Sequence, residues 1–250
     1  VGEETTMKTQ IFTFAFNRPD FLKLQIKSFR KFFDGEYDIN VVCDYRDEKF
    51  LKEFETICKE ENVNFYKHKS TSNGNPSFYH GSVLTWAYSD IIKPKFQNDY
   101  VLIVDHDMFL IDNFNLSEYL NGYDIFGSPQ SRDGIKYIWP GFVAFKVSKL
   151  KDLDFDFLPC MVNRTMLDTG GGTHKIMDKL KYRPSSLEYP DEYDGIDLTD
   201  KKVNRGFASE LHCDRKFFHY RNASSWDLGY QVSDSGKTKL LFDIVKDILK

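Results

Sequence analysis

The chain predicts an α/β fold: a mostly parallel sheet flanked by helices, with an irregular mixed second half. Three observations predict it. Apolar runs alternate three times with stretches of helical periodicity. A fourth run, Val101-Leu102-Ile103-Val104, leads straight into Asp105-His106-Asp107. After Asp107 the alternation stops. An unbroken apolar run reads as a strand buried on both faces, as in a parallel sheet covered by helices.

Gln10 to Phe16 is the first strand, broken by Asn17-Arg18-Pro19-Asp20. Pro19 suits the first turn of a helix, where its missing N–H is not needed. Leu22, Ile26, Phe29 and Phe33 give that helix one apolar face. Ile39 to Cys43 is a second strand, ending at Asp44. Phe50, Leu51, Phe54, Ile57 and Cys58 mark the second helix, and Val63 to Tyr66 a short third strand. A polar loop from Ser70 to Ser77 leads to a helix carrying Val83, Leu84, Ala87, Tyr88 and Ile91. The strand ending in acids follows.

Beyond it, Tyr123–Gly127 and Tyr137–Phe145 read as strands of a mixed sheet, and Phe155–Met166 as loop or short helix. Leu167–Thr173 is a tight Gly-rich turn, and Lys175–Leu180 is helical. Glu188–Asp200 is acidic and irregular, Phe217–Tyr220 is a short strand, and Leu240, Leu241, Ile244, Val245 and Ile248 make a closing amphipathic helix. No linker divides the chain, so one domain is expected over residues 1–250.

Bulk composition bounds the function. Of 250 residues 41% are hydrophobic, with 23 Phe and 14 Tyr, enough for a sizeable core and against global disorder. The net charge of −4, with no basic stretch, disfavours a polyanion partner, and no nucleic-acid partner is expected. Cys43, Cys58, Cys160 and Cys213 are scattered without a C-x-x-C pair, against structural zinc, and Cys43 reads as a buried free thiol. No apolar run reaches membrane-spanning length and no signal peptide precedes the first strand, so a cytoplasmic chain without an integral membrane segment is expected.

Chemistry is expected at the strand ends: Asn17, Arg18, Asp44, Asp105 and Asp107. In open α/β sheets ligands bind outside the carboxyl ends of the strands. Buried charge is costly unless paired or metal-bound. Asp105 and Asp107 therefore read as a divalent-cation site for a diphosphate, or as two solvated acids in a turn. Arg18 reads as a phosphate or base contact, or as the partner of a nearby acid. His80, with Gly81, reads as a phosphate contact or as a plain helix-start residue. Trp139 and Trp226 stack on sugars or fill core. His219, between Phe218 and Tyr220, reads on residues alone as a hydrogen-bonded core histidine.

With these residues in place the chain resembles the GT-A-fold (Rossmann-like) glycosyltransferases, family 2-like, which carry a D-x-D motif. Asn17-Arg18-Pro19 resembles their first turn, Asp44 the acid that contacts the nucleoside, and Asp105-His106-Asp107 the D-x-D. Trp139-Pro140-Gly141 resembles the segment lining the sugar and acceptor pocket. His219, with Ser224 and Trp226, resembles the C-terminal histidine segment that completes the metal site. The resemblance implies a nucleotide-sugar-binding half over 1–112 and an acceptor-binding half over 113–250. It implies transfer from a nucleotide-diphosphate sugar, UDP-sugar favoured, to a glycan or other hydroxyl acceptor. Mn²⁺ (or Mg²⁺) would be held directly by Asp107, by Asp105 through water unless it holds the ribose, and by His219, whose nitrogen favours Mn²⁺.

The retaining subgroup's H-x-x-G-x-x-K-P-W is not matched from His219 to Trp226, which lacks the glycine, lysine and proline. An inverting enzyme needs a general base, and Asp168 is the candidate. The three glycines after it would leave the backbone bare for an acceptor. The competing role for Asp168 is a helix N-cap. Rival functions are a sugar-nucleotide nucleotidyltransferase, a catalytically dead carbohydrate-binding domain and a metal-dependent hydrolase.

Overall fold

The computed structural model describes residues 7–45, 48–69, 75–190, 192–193, 196–197, 209–220, 245–247 and 249–250. In chain order the elements begin with β1 (Thr9–Ala15), α1 (Pro19–Phe32), β2 (Tyr37–Asp44), α2 (Glu48–Glu60), β3 (Asn64–His68) and α3 (Pro76–Trp86). The last runs on through a π-helical stretch, Ala87–Ile92, into α4 (Lys93–Lys95). Then come β4 (Tyr100–Asp105), β5 (Met108–Leu110), α5 (Leu116–Tyr119), β6 (Ile125–Arg132), β7 (Ile135–Lys146) and α6 (Val147–Leu150). The last part holds β8 (Cys160–Val162), β9 (Thr165–Leu167), a 3₁₀ helix (Gly171–Lys179), β10 (Tyr182–Pro184), β11 (Leu187–Glu188), β12 (Glu192–Tyr193), β13 (Ile196–Asp197), β14 (Ser209–His212) and β15 (Phe217–Tyr220). Among the described residues no helix is long and apolar enough to cross a membrane.

The chain forms two compact units. The first comprises Val1–Phe14, Gly35–Asp105 and Asn115–Pro184. It holds a seven-stranded sheet in the order β10-β6-β7-β4-β1-β2-β3. β1 pairs parallel with β4, and β2 with β3; β7 runs antiparallel to both β4 and β6. The apolar runs predicted as strands are buried along their length: β1 throughout, and β4 from Val101 to Val104. Phe12, Val101, Ile103 and Phe145 pack with Leu84, Ile91 and Phe157 in one core. Across β3, β2 and β1 a row of amides satisfies the buried polar groups of Asn40 and Gln10. Asn64 donates to Asn40, Asn40 to Gln10, and Gln10 to Asp99. This is the expected mostly parallel sheet flanked by helices.

β7 departs from regular pairing where the sequence reads Trp-Pro-Gly. Its register with β6 runs Gly127↔Val143 and then skips to Ser128↔Trp139. Pro140, Gly141 and Phe142 are the excess residues of that bulge. Its ladder with β4 ends at Val104↔Phe142, one step short of Asp105 and Gly141. A bulge next to a strand end re-aims side chains there.

The second unit comprises Ala15–Asp34, His106–Phe114 and Ser185–Lys250. Its sheet has the order β11-β14-β15-β5, antiparallel throughout. β5 is an edge strand, and α1 covers it with two buried polar side chains. Gln25 Nε2 donates to the Met108 carbonyl at 2.8 Å, and Ser28 Oγ accepts the Leu110 N–H at 3.2 Å. Edge groups that would otherwise be buried without partners are thereby paired. A ring cluster of Phe29, Phe33, Phe114 and Phe217 fills this unit's core.

Three expectations differ in detail. Residues 155–166 hold most of a hairpin, β8–β9, rather than loop or helix alone. Its turn residues Asn163 and Arg164 sit at φ 49° and 69°, a conformation usually signalled by glycine, which this turn lacks. Ser209–His212, not foreseen as a strand, is β14. Gly171–Lys179 is 3₁₀ and starts earlier than the helix expected from Lys175. Within the closing helix Val245–Asp247 is helical and Val245 buried, while Leu240, Leu241, Ile244 and Ile248 lie outside the described residues. So do Ser224 and Trp226.

Candidate active site

In the first unit the predicted acids end their strands. Asp44 closes β2 directly opposite His68 of β3. The His68 ring stacks on Trp86, with centroids 4.5 Å apart. Burial pushes the His68 pKa down, against the charges of Asp44 and Asp90. Asp105 closes β4, and His80 Nε2 lies 3.2 Å from its Oδ1. His80 is not at the start of its helix: Asn75 caps α3 by accepting from Ser77 N at 2.9 Å, and Pro76 begins it. The His80 ring also meets Phe14 of β1 edge-on.

Trp139 folds over Gly141, where a Cβ would run into the indole. Asp168 lies beyond β9, its Oδ2 accepting from Arg132 Nη2 at 3.1 Å and its Oδ1 from Thr169 N at 2.9 Å. The residue capping the following 3₁₀ helix is Gly170, not Asp168. The glycine run is required by internal packing. Gly170 has φ 88°, and a Cβ there would strike the Ile138 carbonyl; one on Gly172 would strike Asp156. The bare backbone inferred from sequence is thus occupied by the protein's own atoms at these two positions.

In the second unit Asn17 adopts φ 55°, the left-handed region that asparagine tolerates. Arg18 donates twice to Asp20, at 3.0 and 2.6 Å, and its guanidinium lies over the Phe21 ring at 3.7 Å. Asp107 stands one residue before β5, and its carbonyl accepts the Tyr220 N–H at 3.0 Å. β15 pairs with β5 through His219↔Met108. This pairing brings His219 Nε2 to 3.5 Å from Asp107 Oδ1, both side chains buried. On the other ring nitrogen, Nδ1 faces Glu210 Oε2 at 2.8 Å. His212 Nε2 reaches the same oxygen at 3.2 Å.

The electrostatics follow from burial and pairing. Burial alone would push the His219 pKa down, but the hydrogen bonds and charges of Asp107 and Glu210 outweigh it and raise it to about 10. Burial alone would raise Glu210, but the two histidines hold it well below the usual carboxylate range. The sequence reading missed Glu210 and His212. Their only local signal is the Glu-x-His alternation in Ser209–His212, which puts both on one face of a strand.

These donors fit a hard divalent cation. Ligands held about 2.1 Å from an octahedral ion, at near-right angles, stand roughly 3 Å apart. A carboxylate oxygen and an imidazole nitrogen 3.5 Å apart need little adjustment to share one. Glu210, His212 and His219 also form a group whose polar atoms lie within 4.8 Å of one another.

The mostly parallel sheet with flanking helices has the GT-A-like fold of a solved glycosyltransferase. The chain is similar over 82% of its length to the mannosyltransferase PcManGT from Pyrobaculum calidifontis in complex with GDP-Man and Mn²⁺, at 11% identity and TM-score 0.50, spanning 60% of that chain. It also matches S. aureus TarS 1-349 in complex with UDP-GlcNAc, at 17% identity and TM-score 0.39, over 60% of this chain and 48% of that one. The mannosyltransferase Ktr4p from S. cerevisiae matches at 9% identity and TM-score 0.41, over 59% of this chain and 58% of that one. The chain spans between 30% and 60% of the lengths of these and similar structures. No family model and no curated protein matches it.

Proposed function

We propose that the protein is a metal-dependent glycosyltransferase. It moves a sugar from a nucleotide-diphosphate sugar, UDP-sugar first among them, to a hydroxyl of a glycan or other acceptor. The observation that carries this reading is the buried approach of His219 to Asp107 on paired chain segments, in a protein of GT-A-like fold.

Asp107 and His219 hold Mn²⁺ (or Mg²⁺), which supplies Lewis-acid stabilisation of the departing diphosphate when bound. Asp105 keeps the role its D-x-D position implies, at the ion through water or at the ribose. His80 orients Asp105 and faces the donor phosphates. Asp44 contacts the nucleoside, with the stacked His68 and Trp86 rings beside it. Asn17 and Arg18 serve the donor, and Trp139 with Gly141 lines the sugar pocket.

Asp168 takes the proton of the acceptor hydroxyl, and the sugar inverts. An ionised carboxylate has about four lone-pair sites. Arg132 and Thr169 occupy two, which leaves room for a hydroxyl donor.

The experiment is a panel of nucleotide-sugars scored for nucleotide release with Mn²⁺, with and without hydroxyl acceptors. Metal- and acceptor-dependent release is expected. Release unaffected by EDTA would overturn the metal, and equal release without acceptor would make the protein a hydrolase. Binding of sugar with no turnover of any donor would leave a carbohydrate-binding domain.

A further inference from the structure

We propose that Glu210 is the positioning residue of His219: it holds the imidazole so that Nε2, and not a ring carbon, is presented to the ion. The inference rests on the reading of Asp107 and His219 as ligands. Glu210 and His219 are direct cross-strand partners on β14 and β15, so strand register sets their approach. The Glu210 Oε2 lies 2.8 Å from His219 Nδ1. An ionised carboxylate only accepts, so Nδ1 carries the proton of that hydrogen bond. Nε2 is then the atom directed at Asp107, 3.5 Å away.

A half-turn of the ring about its Cβ–Cγ bond would exchange Nδ1 for Cδ2 and Nε2 for Cε1. The ring would lose its bond to Glu210 and present carbon toward Asp107. Glu210 is itself held by His212, whose Nε2 donates to the same oxygen at 3.2 Å. His212 lies two residues along β14, on the same strand face. The result is a buried row, His212–Glu210–His219–Asp107, with each link within 3.5 Å. A carboxylate is expensive to bury, and two imidazole donors offset that cost here. Such an outer carboxylate fixes the tautomer of a ligating histidine and raises its basicity, and removing one typically costs 10–100-fold in metal affinity.

The test is a Mn²⁺ binding cycle, read from the electron paramagnetic resonance of free Mn²⁺, so that no turnover is needed. Wild type, Asp107→Asn, His219→Ala, Glu210→Gln and the double variant Glu210→Gln/His219→Ala are titrated. Asp107→Asn and His219→Ala are expected to weaken binding. Glu210→Gln should weaken it about 10–100-fold, and have no further effect once His219 is alanine. Two residues acting through one contact are non-additive in this way. Wild-type affinity in Glu210→Gln would overturn the inference while leaving the ion site standing. So would an equal loss in both backgrounds, which marks a general scaffold role. Binding unchanged by Asp107→Asn would overturn the ligand reading itself, and this inference with it. If circular dichroism shows that Glu210→Gln does not fold, Glu210→Asp enters the same cycle. It keeps the buried charge but draws the acceptor back by one methylene, and the same dependence on His219 is expected.

Discussion

Arg132 and Asp168, 36 residues apart, meet at the far ends of β6 and β9. One guanidinium nitrogen, Nη2, donates to the Asp168 carboxylate at 3.1 Å while Nη1 donates to the Met166 carbonyl at 3.0 Å. The carboxylate is therefore oriented by a neighbouring strand and not by the helix that follows it. Both side chains remain well exposed, 46% and 40%, so the pair adds little to stability and its consequence is for geometry.

If Asp168 is the base, Asp168→Asn keeps the shape and one acceptor oxygen, enough for Arg132 or Thr169 but not both, and cannot take a proton. Transfer should fall by about two to four orders of magnitude, with donor binding and melting temperature nearly unchanged. Arg132→Ala should lower the rate by less. A steady-state comparison of both variants checks this, and nuclear magnetic resonance of the product anomer gives a second reading. Retention of the donor's configuration would remove the need for a base at Asp168.

Asp107→Ala should abolish transfer and leave the protein folded, because its backbone carbonyl still accepts from Tyr220. In wild-type protein Mn²⁺ at about 100 times its dissociation constant should add about 2.7 kcal/mol of stability. That increment, seen as a raised melting temperature, should vanish in the variant. An Asp107→Ala protein that Mn²⁺ still stabilises to the same degree would place the ion elsewhere.

The stability of EDTA-treated protein should depend on pH through the buried row. His219 is raised from 6.5 to about 10, so its contribution is complete below pH 6.5 and is lost as pH climbs through about 10. Glu210 is lowered from 4.5, so its contribution is present above that value and is lost on acidification below it. Both act in full between about pH 4.5 and 6.5. Melting temperatures from pH 6 to 10 should therefore decline, and the decline should be smaller in His219→Gln. Mn²⁺ affinity should run the other way, rising with pH, because Nε2 must lose its proton to ligate.

Removing either polar side chain that α1 offers to β5 should destabilise the protein. Gln25→Leu leaves the Met108 carbonyl, and Ser28→Ala the Leu110 N–H, without the side-chain partner it now has. Each should cost about 1–3 kcal/mol, measured by urea unfolding. The same strand carries Asp107 at its entrance, so weaker Mn²⁺ binding should accompany the loss. Full stability in both variants would mean that water pairs these edge groups equally well.

The first half of the fold was legible in the sequence because its signals are local. A short, β-branched apolar run such as Val101–Val104 marks a buried strand by its own composition, and helical spacing from Leu22 to Phe29 needs no knowledge of the partner. The acids Asp44 and Asp105 were found at strand ends for the same reason. Asn163–Arg164 hid its hairpin because the asparagine, which tolerates the left-handed region, is followed by arginine and not by the glycine that usually completes such a turn. The glycines after Asp168 announced bare backbone, but what fills the space beside Gly170 and Gly172 is decided by Ile138 and Asp156, distant in sequence.

The sequence alone determined that Asp107 and His219 were each of a kind that can ligate an ion. Only the tertiary structure decided that they stand 3.5 Å apart, and that Glu210 rather than solvent faces the other ring nitrogen. The reason is strand register. Side-chain period along a strand is a property of the chain, but which residue lies opposite is set by pairing between segments more than a hundred residues apart, Met108 with His219. A one-residue slip of that pairing would turn His219 to the other face, and no pattern within Phe217–Tyr220 forbids it. What forbids it is the packing of Phe217 against Phe29 and Phe114, contacts that exist only in the folded molecule.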